Sequence, residues 1–297
     1  MSSADSVKNR LYNKSKITGK TMQELLIMYC LERTLYRLSI SKYVDKFTLK
    51  GGVLLYALFG GNYARTTADV DLLAEKMSND VLNMYNVFKE ILSVKADDPI
   101  RYDLESLEVE VITENKKYHG LNVSLLAYLD KTKINISIDI GFDDIIYPSK
   151  VKMDYPVILN DYYPSIYVYS IYSCIAEKFE AIVSLGYDNS RLKDFYDIYV
   201  IANSFDLMSS ELIEAIKETF HHRNTNYNTI VVFDNDFMDS VTIKRWNSFV
   251  KKKKVMINIS LEDTINLIRV LLEPIVEVIK NNQDFSKKWN HISLNWE

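Results

Sequence analysis

The sequence predicts an α/β fold, a mixed sheet with its helices, followed by an α-helical domain. Three observations predict it. A strand, a Gly-Gly pair and a helix follow one another over residues 47–59. Ile134, Ile136, Ile138 and Ile140 alternate without a break with Asn135, Ser137 and Asp139. Beyond Pro164, nearly every stretch carries its apolar residues at helical spacing.

Residues 1–20 read as a polar lead-in. From Thr21 to Ser39, Met22, Leu25, Leu26, Tyr29, Leu35 and Leu38 recur with the helical period. Phe47–Lys50 reads as a short strand, Gly51-Gly52 as a turn, and Val53–Phe59 as a helix. A polar loop after Gly60-Gly61 leads to a strand over Asp69–Leu73. A helix near 78–93 and strands at 108–113 and 121–129 follow. The period of two over 134–140 marks a strand with one buried face. Pro148, Pro156 and Pro164 punctuate an irregular segment that suits a domain boundary. The expected division is an α/β domain over 1–165, with an N-terminal helix, and a helical domain over 166–297. Helices are predicted at 167–185, 191–205, 209–220 and 261–280. Ser260 with Asp263 resembles a capping box, and Pro274 is expected to kink the last helix.

Charge excludes one class of function. With 36 Lys and Arg against 40 Asp and Glu, the net charge is −4, so the chain does not coat nucleic acid along its whole surface. A nucleic-acid partner would have to meet a local basic patch. Cys30 and Cys174 each sit in an apolar stretch with no CxxC spacing, which predicts buried thiols in a reducing compartment. The N-terminus has no apolar core of a signal peptide, and no uncharged apolar run approaches the ~18 residues of a membrane span. A cytoplasmic protein without membrane association is expected.

The chemistry begins with Arg65-Thr66-Thr67-Ala68-Asp69-Val70-Asp71. On a strand, positions i and i+2 share a face, so Asp69 and Asp71 present two carboxylates together. Their repulsion is about 1 kcal/mol in water and several-fold more in a partly buried site. A hard divalent cation removes the conflict, and Mg²⁺ takes one or two carboxylates plus substrate phosphates. The bland alternative is a strand end with two solvated acids. Upstream, Gly51-Gly52 places flexible backbone at a helix N-terminus, where free N–H groups and the dipole favour phosphate. Downstream, Asp139 lies on the polar face of its strand and suits a metal ligand or a general base. On the 171–185 helix, Ser173, Glu177, Glu180 and Ser184 form a polar arc. Lys178 stands outside it among Ile171, Cys174, Ile182 and Leu185. It either snorkels to solvent or keeps its ammonium inward to meet an anion. Asp194 is in line with Ile198, Ile201 and Phe205, so it caps the next helix, pairs with Arg191 or Lys193, or forms an ion pair with Lys178.

Taken together, these stretches carry a resemblance. Lys50-Gly51-Gly52-Val53-Leu54-Leu55 followed by Arg65-Thr66-Thr67-Ala68-Asp69-Val70-Asp71-Leu72 resembles the first motif of the AbiEii/AbiGii nucleotidyltransferase toxin family. Ile138-Asp139-Ile140 is similar to its second motif. Ala176-Glu177-Lys178 and Arg191-Leu192-Lys193-Asp194-Phe195-Tyr196-Asp197 are similar to its third and fourth. Glu214-Ala215-Ile216 and Thr219-Phe220-His221-His222-Arg223 continue the likeness, which spans about 45–225 in the right order.

The resemblance implies a polymerase-β-like nucleotidyltransferase core and a toxin silenced by a separately encoded antitoxin. The expected reaction transfers a nucleoside monophosphate from an NTP to an acceptor hydroxyl, with a tRNA 3′ end as the acceptor. It implies that Asp69, Asp71 and Asp139 hold Mg²⁺, with Mn²⁺ as a substitute. Lys50, Gly51, Gly52, Arg65, Thr66, Thr67, Lys178, Arg191 and Lys193 would meet the nucleotide, and Lys178, Asp194 and Asp197 would complete the catalytic set from the helical half. Many members of the wider superfamily have Gly-Ser where this chain has Gly52-Val53, so Thr66 or Thr67 would have to supply the missing hydroxyl. The double glycine is usual in this family. The competing readings are a catalytically silent interaction protein, and transfer to a small molecule or a protein.

Other features are bland. His119, His221, His222 and His291 form no HExxH or triad pattern, and no GxxxxGK[ST] or GxGxxG occurs. Lys244-Arg245 and Lys251–Lys254, interleaved with Trp246 and Phe249, read either as an RNA contact with a stacking aromatic or as a solvated loop. Trp289 and Trp296 are expected to pack the C-terminal tail.

Overall fold

The computed structural model describes residues 3–62, 67, 69–112, 120–159, 162–228, 230–252 and 259–297. The chain forms two compact units. One comprises residues 1–143 and 151–168, the other residues 144–150 and 169–297. Among the described residues, no helix is long and apolar enough to cross a membrane.

The first unit begins with α1 (Ala4–Thr18) and α2 (Met22–Ser39). Residues 4–18 are therefore helical rather than a bare lead-in. Ser3 caps α1 by accepting from the Ser6 amide, and only Val7 and Leu11 are buried, too few apolar positions to show a period. Thr21 and Glu24 form a reciprocal capping box at the start of α2. Then come β1 (Phe47–Lys50), α3 (Gly51–Leu58), β2 (Val70–Ala74) and α4 (Val81–Ser93). Three long strands follow, β3 (Ile100–Ile112), β4 (Gly120–Leu129) and β5 (Thr132–Phe142), and two short ones, β6 (Val151–Asp154) and β7 (Ser165–Val168).

All seven strands form one mixed sheet in the order β3-β4-β5-β2-β1-β7-β6. β2 runs parallel to β5 and β1 parallel to β7, while the remaining neighbours are antiparallel. The isoleucine alternation of β5 is read correctly from the sequence: Ile134, Ile136, Ile138 and Ile140 are each 1% exposed. Each such burial stabilises the core by about 1.5–3 kcal/mol. β3 is longer than the expected 108–113 because its register shifts between Asp103 and Glu108. There the Ser106 hydroxyl donates to the Asp103 carbonyl and accepts from the Leu126 amide. That irregularity breaks the period of two, so the first half of the strand does not read as one.

Cys30, on α2, is fully buried. Burial pushes its thiol from 9.0 up to about 12, and the nearby Asp98 carboxylate adds to the shift. The fold holds the protonated form, so this contribution is intact below pH 9 and is lost as pH rises towards 12. At pH 9 the native chain is expected to resist iodoacetamide at Cys30 and to react after denaturation in urea, read by peptide mass spectrometry. Rapid alkylation of native Cys30 would refute the burial.

The second unit contains α5 (Ile171–Leu185), α6 (Leu192–Ala202), β8 (Leu207–Met208) and α7 (Ser209–His222). Next come α8 (Ser240–Lys252) and α9 (Leu261–Asn281), then β9 (Lys288–Asn290) and β10 (Asn295–Trp296). The expected helix over 167–185 starts later, at Ile171, where Ser170 accepts from the Ser173 amide, because Ser165–Val168 is strand β7. The small three-stranded sheet β10-β9-β8 is also absent from the sequence reading, since strands of two or three residues carry no period. Ser260 caps α9 by accepting from the Asp263 amide, and the helix continues past Pro274. Trp289 and Trp296 pack the tail: their indoles donate to the Ala202 and Leu271 carbonyls.

Candidate active site

In the first unit, strand register places the polar residues. Lys50 of β1 lies opposite Asp71 of β2, Asp71 opposite Asp139 of β5, and Asp139 opposite Asn122 of β4. Directly paired residues put their side chains on the same face of a sheet. The four side chains therefore make one polar row across four strands, with Asp71 and Asp139 as immediate neighbours. Both are half-buried, and Asp69 is exposed. Asp69 lies at a bend just before β2 rather than on the strand.

The Asp139 carboxylate is held in place. The Asn122 side-chain amide donates to Asp139 Oδ1 at 2.6 Å and to Ser137 Oγ at 2.8 Å. Asn122 escaped the sequence reading. Its signal was its polar place in a strand whose other face is apolar, which marks a face but not a partner.

Gly51 explains itself through Asp71. It begins α3 with φ +70°, in the left-handed region that favours glycine. A Cβ there would stand 1.8 Å from Asp71 Oδ2, so the carboxylate packs directly against the Gly51 backbone. The helix thus starts on the glycines, two residues before the sequence predicts. Gly51→Ala combines a strained backbone, costing about 1–3 kcal/mol, with expulsion of the Asp71 carboxylate. It is expected to lower the thermal midpoint and to remove nucleotidyl transfer measured with labelled NTP. A fully active Gly51→Ala protein would refute the close approach.

Of the residues expected around the nucleotide, Gly52 is buried and Lys50 half-buried. The Thr67 hydroxyl donates to the Asp69 carbonyl at 3.4 Å. Arg65 and Thr66 lie outside the described residues. Among the described residues, no group of three or more His, Cys, Asp or Glu side chains is arranged to hold a metal ion by itself. The paired carboxylates nevertheless fit a hard divalent cation. Like charges directly opposite on adjacent strands are destabilising, and Mg²⁺ needs only one or two carboxylates when phosphates and water fill the other positions.

In the second unit, Lys178 turns inward. Its ammonium donates to Asp197 Oδ2 at 2.6 Å and to Asp194 Oδ1 at 3.2 Å, while Arg191 Nε donates to Asp194 Oδ2 at 2.8 Å. The two aspartates are 1% and 0% exposed, so these cations stand against carboxylates shielded from water. Of the alternatives open for Asp194, the structure shows two together, the ion pair with Lys178, which extends to Asp197, and the pair with Arg191. Lys193 is exposed.

The polar arc of α5 is not a solvated face. Arg223, at the end of α7, donates to Glu180 at 2.8 Å and to Asp144 at 2.8 Å, and stands 3.2 Å from Glu177. Thr225 Oγ1 donates to Glu180 at 2.5 Å and the Tyr169 hydroxyl to Glu177 at 3.1 Å. Burial by itself would lower the Arg223 pKa, but the carboxylates of Glu177, Asp144 and Glu180 outweigh it and raise it. Ser173, also on the arc, accepts from the Tyr147 amide at 2.8 Å.

The basic stretch is revised. Trp246 is fully buried, donates to the Ile259 carbonyl and packs against Phe249, so it cannot stack on a base. Lys244, Arg245 and Lys251 are exposed. Lys253 and Lys254 lie outside the described residues.

The family profile described as nucleotidyl transferase AbiEii toxin, type IV TA system, matches residues 33–263. A crystal structure of a candidate nucleotidyltransferase from H. pylori superposes with a TM-score of 0.51 at 15% identity, covering 88% of this chain and 98% of that one. That likeness shows the fold. JHP933 from Helicobacter pylori superposes with a TM-score of 0.49 at 15% identity, covering 85% of this chain and 92% of that one. No curated protein sequence matches the chain.

Proposed function

The chain belongs to the AbiEii nucleotidyltransferase toxin family of type IV toxin–antitoxin systems, and we propose that it transfers a nucleoside monophosphate from an NTP to a hydroxyl of RNA, at a tRNA 3′ end, with Mg²⁺. Membership makes it a nucleotidyltransferase with a separately encoded antitoxin as partner. The metal, the acceptor and the residue roles are our reading. The observation that carries it is the Asp71 carboxylate, packed against the Gly51 backbone and in register with Asp139.

In this reading Asp69 and Asp71 hold the ion, with Asp139 beside them. A bound divalent cation would supply positive charge to the α-phosphate and to the departing pyrophosphate. Lys50, Gly51, Gly52, Arg65, Thr66 and Thr67 orient the triphosphate, using the backbone N–H groups at the start of α3. The acceptor oxygen forms a bond to the α-phosphorus as the bond from that phosphorus to the bridging oxygen breaks. Asp139, oriented by Asn122, takes the hydroxyl proton, and pyrophosphate leaves. In the second unit, Lys178, Arg191 and Lys193 are the proposed phosphate contacts, and Asp194 and Asp197 fix the position of Lys178.

The test is incubation of the purified chain with total RNA and each α-labelled NTP in turn, with Mg²⁺. Label is expected on RNA of tRNA size, dependent on one or a few NTPs and removed by EDTA. Absence of label on any acceptor would overturn catalysis. Label on protein or a small molecule, but not on RNA, would overturn the acceptor. Relief of growth arrest by a neighbouring reading frame would identify the antitoxin.

A further inference from the structure

A cleft of about 300 Å³ opens on the second unit at α9 and the C-terminal strands, lined by Arg269, Val270, Glu273, Pro274, Phe285 and Lys287, with Asn295 and Trp296 beyond them. None of these residues belongs to the Lys178 or Arg223 clusters. The cleft lies at the lower end of the size range of small-ligand sites.

Its chemistry is specific. Arg269 lies over the Phe233 ring, 5.5 Å from its centroid, and donates to the Phe233 carbonyl, while its Nε is buried and has no hydrogen-bond partner among the described residues. Lys287 Nζ donates to the Trp296 carbonyl at 3.4 Å and stands 5.9 Å from the Phe285 ring centroid. Neither cation is salt-bridged to a carboxylate among the described residues. Glu273, also lining the cleft, supplies an acceptor.

We propose that this cleft holds one nucleotide of the single-stranded RNA acceptor. The phosphate meets Arg269 and Lys287, and the base lies against Phe285, with its amino group donating to Glu273. The Glu273 carboxylate disfavours an acidic peptide, whose side chains carry the same charge, whereas the amino group of a base can donate to it. The inference rests on RNA being the acceptor.

The test uses the full chain and a fluorescein-labelled single-stranded RNA decamer, with binding read by anisotropy across a NaCl series. Lys287 is exposed, and its backbone amide bond to Ser209 survives substitution, so Lys287→Ala is expected to fold normally. It should weaken binding several-fold and flatten the salt slope by about 0.7, the share of one phosphate contact on a single strand. Phe285→Ala should weaken binding several-fold without changing the slope. If wild type labels RNA and Lys287→Ala binds the decamer with the same affinity and slope, the cleft assignment is overturned while the nucleotidyl-transfer reading stands. If wild type neither labels nor binds RNA, the acceptor reading falls and this one with it. AMP competing as tightly as the decamer would make the occupant a free nucleotide. Hexaglutamate displacing the decamer from wild type as tightly as unlabelled decamer would make it an acidic-peptide site. Either result overturns the proposal.

Discussion

Asp71→Asn is expected to remove nucleotidyl transfer while leaving the fold intact. Asparagine has the shape of aspartate, so the contact with Gly51, which no larger residue tolerates, is preserved. The substitution removes only the charge and one metal-binding oxygen. Charge stabilisation of a phosphoryl transition state by a bound metal is worth several kcal/mol, so the rate should fall by about three decades or more. Unfolding free energy in urea should change by no more than about 0.5 kcal/mol, and could rise, because the like charge beside Asp139 is gone. Asp71→Ala is the poorer test, since it opens a void against α3. Transfer by Asp71→Asn at the wild-type rate, in a folded protein with Mg²⁺ present, would refute the metal role.

The largest effect on stability is expected in the second unit, at Arg223. One guanidinium there serves Asp144, Glu177 and Glu180, of which Asp144 and Glu180 are less than a tenth exposed. Arg223→Leu leaves three carboxylates without their cation in a partly dry site, and breaking a buried ion pair from one side costs about 3–5 kcal/mol. The urea midpoint should fall accordingly. Arg223→Lys should recover part of the loss: it restores the charge, but one ammonium cannot reproduce the fork that reaches Glu180 with one nitrogen and Asp144 with another. Adding Glu180→Leu to Arg223→Leu should also recover part of it, by removing one of the stranded charges. An Arg223→Leu protein as stable as wild type would show that the cluster contributes nothing to the fold.

These two residues differ in how far the sequence alone exposes them. Asp71 is legible because Gly51-Gly52, Asp69 and Asp139 stand with it in one family's order. Arg223 is quoted in a family stretch, but nothing in its neighbours predicts three carboxylates around it. Two of those carboxylates lie on what reads as the polar arc of α5. A polar arc says that a face is not apolar. It does not say whether water or a guanidinium covers it.

Trp246 shows the opposite failure. Lysines and arginines flanking an aromatic read either as an RNA contact or as a solvated loop, and both readings leave the indole outside, yet it is buried and hydrogen-bonded within the second unit. Periodicity over one helix of thirteen residues could not choose between the two faces.

By itself, the sequence determined the order of the main elements, the buried face of β5 and the family to which the chain belongs. The first two are local properties, set by backbone sterics and the repeat of a strand or a helix. Tertiary structure alone decided the rest: that Lys50, Asp71, Asp139 and Asn122 stand in one row, that Gly51 has no room for a Cβ, and that Lys178 and Arg223 are each claimed by several carboxylates. Strand register and helix packing bring together residues tens of positions apart. No period within a single segment records which of them will meet.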